Sequence, residues 1–160
     1  MTQPFLQSSL FETPQPTISG LTYIANFIDS ATEAALTLTI DTQPWITEMK
    51  RRVQHYGWRY DYKARSVTND LRIGALPDWL QSYAVRLQQA GLFSEMPDQV
   101  IINEYHPGQG ISAHIDCVPC FTDTIASLSL SSPCVMDFTH SKSGEKSSLL
   151  LEPRSLLVLS

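Results

Sequence analysis

"DQVIINEYHPGQGISAHIDCVPCFTDTIASLSLSSPCVMDF", residues 98–138, is the stretch whose reading decides the fold. It is a succession of short runs rich in β-branched and apolar residues, QVIINEY, ISAHI, TIASLSL and CVMDF, separated by Pro, Gly, Asp and Ser. SLLLE and SLLVL continue the series to the end of the chain. Six such runs in about sixty residues leave no connection long enough for a crossover helix, so the strands must pair antiparallel as a sandwich or barrel.

Upstream the pattern changes. PDWLQSYAVRLQQAG (77–91) opens on Pro77 and closes on Gly91, and Leu80, Tyr83, Ala84 and Leu87 make one apolar stripe at helical spacing. GLTYIANFI (20–28) is predicted as a strand. Asp29 or Ser30 can cap a helix that begins at Ala31 and reaches about Asp41, with Glu33 placed for a capping box. Residues 52–62 alternate as a strand does, with Gly57 marking a bulge or bend. Residues 1–17 have no clear period and are expected to form a loose N-terminal arm, leaving 18–160 as one domain. The predicted architecture is α+β: a jelly roll with helices packed outside.

Composition sets the class. Apolar residues make up 42% and charged residues 17% of the chain, a globular balance. No run approaches the roughly 20 apolar residues of a membrane span, and MTQPFLQSSL has no basic residue ahead of its apolar positions. A soluble, cytoplasmic protein is expected. Three Cys in a chain of this size do not suggest a disulfide framework. Net charge is −5, yet seven of the eleven Lys and Arg residues fall between positions 50 and 72 against two acids. That segment is +5 and the rest of the chain −10, with Tyr56, Trp58, Tyr60 and Tyr62 interleaved among the bases. Cations for phosphates beside rings for bases are what single-stranded nucleic acid requires; the plain alternative is a strand with solvated charges on one face.

Residues two apart on a strand share a face, so His114 and Asp116 can aim an imidazole nitrogen and a carboxylate oxygen at one point. That pair is two thirds of the facial triad of non-haem Fe(II) oxygenases. Asn103 and Tyr105 share a face in the same way on the preceding strand, and HPGQG is predicted to fold that strand back against ISAHID. Cys117, Cys120, Cys134 and His140 give a count suited to structural zinc. In an extended CVMDFTH strand, however, Cys134 and His140 stand about 20 Å apart at roughly 3.3 Å per residue. Cys134, on one face with Met136 and Phe138, is therefore expected in the core.

The run 98–138 resembles the catalytic core of the AlkB-like family of Fe(II)- and 2-oxoglutarate-dependent dioxygenases. RRVQHYGWRY (51–60) resembles the family's nucleotide-recognition segment, and LLLEPRSLLVLS (149–160) the hairpin that leads to its second His. Within the family the likeness is to the oxygenase domain of enzymes that modify wobble uridines in transfer RNA. The resemblance implies a double-stranded β-helix and Fe(II) held by His114 and Asp116 as the catalytic pair. It places 2-oxoglutarate at Asn103 and Tyr105, with O2 as the other co-substrate. It implies a lid around Arg51, Arg52 and Tyr56 that meets a flipped or unpaired nucleotide, and oxidative dealkylation or hydroxylation of a nucleobase in DNA or RNA repair or transfer-RNA modification. The sequence ends before the positions of the family's second His and of its carboxylate-pairing Arg. The resemblance thus implies half of a cofactor site, with LLVLS left as an unpaired or half-paired edge. Two functions are compatible with that pattern: a dioxygenase, or a catalytically inactive nucleic-acid-binding remnant.

Overall fold

The computed structural model describes residues 18–47, 50–62, 64, 67–116, 121 and 123–160. Among these residues two helices, α1 (Ser30–Asp41) and α2 (Asp78–Gln89), accompany seven strands: β1 (Leu21–Ile24), β2 (Arg52–Tyr56), β3 (Val100–Glu104), β4 (Ile125–Leu128), β5 (Cys134–Thr139), β6 (Lys146–Leu151) and β7 (Leu156–Leu159). A 3-10 turn covers Asn69–Leu71. Every ladder is antiparallel, as the short connections require. No helix among the described residues is long and apolar enough to cross a membrane.

Among the described residues the strands do not close into the expected jelly roll. They form a three-stranded sheet in the order β1-β7-β4 and two two-stranded sheets, β2-β3 and β5-β6. Three apolar clusters join them. Phe27, Ile28, Leu36 and Ile40 meet Leu156 and Val158; Leu76, Leu80 and Ala84 of the α2 region take up Tyr56, Trp79 and Val100; and Leu149, Leu151 and Leu157 receive Met136 and Phe138. β7 feeds two of these clusters because its side chains alternate. Leu156 and Val158 face one, and Leu157 with Leu159 the other. The strand expected at an edge is thus the centre of its sheet, paired with β1 on one side and β4 on the other. Its unbroken apolar run is what burial on both faces demands.

Both helices lie where the sequence put them, but one cap differs. Asp29 caps α1, its carboxylate accepting the Thr32 N–H at 2.7 Å. Glu33 is therefore one residue too far along to complete a capping box. Its carboxylate leaves the helix, accepting the Ser131 N–H at 2.8 Å and Arg154 Nη1 at 3.1 Å. Pro77 precedes α2, and Leu80 and Ala84 of the predicted stripe are buried.

Three strand predictions are corrected. ISAHI carries no strand, and residues 110–116 are exposed. β3 already pairs in register with β2, while the loop after it spends its hydrogen bonds elsewhere. Gln109 accepts the His106 N–H with its side chain and donates to the Lys50 carbonyl at 2.8 Å, which draws the loop toward the start of β2. The strand predicted over 52–62 ends at Tyr56, because Gly57 takes φ +77° with its α-carbon against the Asp98 carbonyl, where a Cβ would sit 1.8 Å from the oxygen. The strand predicted over 20–28 keeps only Leu21–Ile24. Cys134, expected in the core, is exposed: it begins β5, while Met136 and Phe138 further along reach the cluster.

Candidate metal and nucleic-acid site

The β2-β3 ladder sorts the predicted site residues by parity. Arg52 pairs with Glu104, Val53 with Asn103, Gln54 with Ile102 and Tyr56 with Val100. Even-numbered residues face the helices. Gln54 is buried and donates to the Ile40 carbonyl, and Tyr56 packs edge-on against Trp79 at 5.3 Å with its hydroxyl on Gln54. Arg52 is held in a two-pronged ion pair with Glu104 at 2.7 and 2.5 Å and lies 4.2 Å over the Trp45 ring. Odd-numbered residues face the other way. Of the three residues predicted to meet a nucleotide, Arg51 alone joins Asn103 and Tyr105; Arg52 and Tyr56 serve the helix side.

Arg51 donates from Nε to Asn103 Oδ1 at 2.7 Å, and its Cζ lies 5.4 Å from the Tyr62 ring centre and 6.0 Å from that of Tyr105. His55 follows on the same face, its ring 5.6 Å from Tyr62. Burial, then the nearby Arg59 and Arg51 charges, push the His55 pKa below its ordinary value, so the imidazole is neutral at physiological pH. Its Nδ1 is buried with no hydrogen-bond partner among the described residues. Burial raises the Tyr62 and Tyr105 pKa values, against the pull of Arg51, so both phenols keep their protons. Beyond them Tyr60 meets Tyr62 edge-on at 5.0 Å and lies near-parallel to Phe121 at 5.8 Å. Lys63 and Arg65 lie outside the described residues.

His114 and Asp116 come together without a strand to carry them. Their Nε2 and Oδ1 atoms are 3.4 Å apart, and both side chains are close to half exposed, at 44% and 46%. His114 Nδ1 lies 2.8 Å from the Ser112 carbonyl, which can only accept. The Nδ1 nitrogen therefore carries a proton, and in the neutral ring Nε2 presents a lone pair to the carboxylate. Two electron-rich atoms at that distance call for a positive charge, from a proton on Nε2 or from a metal ion. The donor types and the carbonyl-anchored tautomer fit Fe(II). Among the described residues no third His, Cys, Asp or Glu joins them. Cys117 and Cys120 of the zinc alternative lie outside the described residues, and His140 Nδ1 accepts the Ser143 N–H within its own turn.

Sequence reasoning placed the pair His114 and Asp116 through local spacing alone. It separated Arg51 from Asn103, which are 52 positions apart and meet through the β2-β3 register. Tyr62 was legible as a ring for stacking; its place between Arg51 and His55 was not, because it lies beyond the strand and no periodicity reaches it.

The profile of the 2OG-Fe(II) oxygenase superfamily matches residues 20–160. The chain belongs to that superfamily. Its likeness is to AlkB-like members. An Arabidopsis thaliana alkylated DNA repair protein ALKBH8 homolog is 38% identical, over 89% of this chain and 48% of the relative. The Macaca fascicularis tRNA (carboxymethyluridine(34)-5-O)-methyltransferase ALKBH8 is 39% identical over 91% of this chain and 23% of its own length. The chain thus spans less than half the length of these relatives. The solved structure of OsALKBH1 superposes with a TM-score of 0.65 at 14% identity, covering 91% of this chain and 81% of that one, a likeness of fold. Fe(II) and 2-oxoglutarate are the reagents for which the superfamily is named.

Proposed function

We propose that this chain is an Fe(II)- and 2-oxoglutarate-dependent dioxygenase module that oxidises a nucleobase, or an alkyl group on one, in single-stranded or flipped nucleic acid. The observation that carries this reading is the His114 and Asp116 pair, with Nε2 turned to Oδ1 by the Ser112 carbonyl. His114 and Asp116 would hold the iron, which when bound with 2-oxoglutarate supplies the O2-activating chemistry. Asn103 and Tyr105 would meet the co-substrate. Relatives named for transfer-RNA modification, alkylated-DNA repair and RNA/DNA demethylation support a nucleic-acid substrate, as does the cluster of bases and rings over 50–72. The test is succinate formation from 2-oxoglutarate with Fe(II), ascorbate and single-stranded oligonucleotides. Turnover lost in His114→Ala, with the fold retained, is the expected result; turnover indifferent to His114 would refute the assignment.

A second reading has its own observation. Among the described residues the donor set stops at two. A binding module without turnover would retain oligonucleotide affinity while forming no succinate, and the same assay separates the two.

A further inference from the structure

We propose that Gln109 is a positioning residue: its carboxamide fastens the segment that carries His114 and Asp116 to the start of β2, and so sets where that pair stands relative to Asn103 and Tyr105. This rests on the dioxygenase reading, in which one small ligand must reach both places.

The β2-β3 ladder stops with Arg52 opposite Glu104. Continued by two residues, the same register would set Lys50 opposite His106. The Gln109 amide stands between these two backbones instead. Its Oε1 accepts the His106 N–H at 2.9 Å and its Nε2 donates to the Lys50 carbonyl at 2.8 Å. One side chain thus takes the place of a ladder bond, and the chain turns away from the sheet while staying attached to it.

The turn that presents the amide is stiff. Pro107 followed by Gly108 at φ +83° is the pattern of a type II turn, and the Gln109 N–H closes it on the His106 carbonyl at 2.9 Å. Exposure agrees: from Tyr105 to Asp116 every residue is exposed except Gln109, which is half-buried. An amide covered in this way, with both ends bonded in a stretch otherwise given to solvent, has the properties of an anchor. Residues 110–116 carry no strand, and His114 follows Gln109 by five positions. The geometry within the pair is local, because the Ser112 carbonyl two residues back orients the His114 ring. The placement of the pair against β3 is not local, and Gln109 holds the root of the segment that decides it. Two capacities separate accordingly. Holding a metal ion depends on the pair, whereas binding a ligand that spans the metal and β3 depends on Gln109 as well.

The experiment is binding, not turnover. Titration calorimetry on the chain loaded with Mn(II) compares oxalate, which chelates the metal and has nothing beyond it, with 2-oxoglutarate, on wild type, Gln109→Met and Gln109→Asn. Gln109→Met keeps the length and loses both side-chain bonds; it should weaken 2-oxoglutarate about fivefold or more while leaving Mn(II) and oxalate within about twofold of wild type. Gln109→Asn keeps the amide on a side chain shorter by one methylene, about 1.5 Å, and should recover part of the loss. Thermal unfolding shows whether each variant folds; if Gln109→Met does not, Gln109→Asn carries the test, with a selective loss of roughly twofold expected. Equal weakening of oxalate and 2-oxoglutarate, or a matching loss of Mn(II) affinity, would mean that Gln109 supports the pair itself or the fold at large, and the proposal falls. Wild type that takes up no Mn(II), or takes it up without 2-oxoglutarate, overturns the dioxygenase reading and this inference together. Wild type whose 2-oxoglutarate affinity survives Gln109→Met intact overturns the inference alone.

Discussion

Gln54 is a polar residue with 2% of its surface exposed, and its amide is used at both ends. Nε2 donates to the Ile40 carbonyl at 2.9 Å, one of the last carbonyls of α1, and Oε1 accepts the Tyr56 hydroxyl at 2.9 Å. It adds a second donor, beside the Gln43 N–H, to a carbonyl at the end of the helix. Gln54→Leu keeps the volume, takes the acceptor from the Tyr56 hydroxyl and leaves the Ile40 carbonyl with the Gln43 N–H alone, so unfolding free energy should fall by about 1–3 kcal/mol. In urea titration the midpoint should drop with the m-value unchanged; a midpoint within error of wild type would show that water replaces the amide. No local signal in QHYG announces this, since the partner carbonyl lies 14 residues earlier. The contrast with His114 and Asp116 is physical. A pair two residues apart can be read from spacing, whereas Gln54, or Arg51 with Asn103, acquires its partner only when elements dock.

At the scale of elements, what was legible followed the same rule. Helix α2 begins after Pro77 and ends before Gly91 because those residues act on their own backbone. ISAHI was misread as a strand because strand formation needs a neighbour, and Gln109 takes the preceding loop to Lys50 instead. Glu33 belongs to this scale as well. Its carboxylate ties α1 to two turns, at Ser131 and Arg154, both of which take positive φ, at 68° and 67°. The Ser131 N–H chiefly holds the Glu33 pKa below its ordinary 4.5, against the opposing effect of burial, and Arg154 adds to the lowering. A carboxylate whose folded pKa is depressed adds stability above its unfolded pKa and loses it as pH falls through the folded one. Glu33→Gln retains an acceptor and removes the charge. Its stability deficit should be largest at neutral pH and should vanish in acid, below the depressed pKa, where wild type carries a neutral side chain too. Denaturant titrations across that range check it; a deficit independent of pH would mean that the charge is irrelevant to the tie.

The whole molecule divides its charge, and that division predicts how it meets nucleic acid. Residues 50–72 carry +5 on a chain whose remainder is −10, so attraction must be local and the rest of the surface repels a polyanion. Within that segment the fold separates the bases further. Arg52 is paired with Glu104 on the helix side, while Lys50, Arg59 and Arg72 are exposed, with Arg72 Cζ 5.9 Å from the Trp58 ring centre. If these three meet phosphates, single-stranded RNA affinity should fall with salt at a log–log slope of roughly −2, at about 0.7 per contact. Raising monovalent salt from 50 to 200 mM would then weaken binding roughly ten- to twenty-fold. Arg59→Ala with Arg72→Ala should make the slope shallower by about 1.4. Arg52→Ala should leave the slope alone and lower stability instead, because its charge is already answered and its stacking on Trp45 is lost. Fluorescence anisotropy over a salt series measures all three. A slope unchanged by the double substitution would remove the basic segment from the interface, and a slope reduced by Arg52→Ala would show that the Glu104 pair opens to admit the strand.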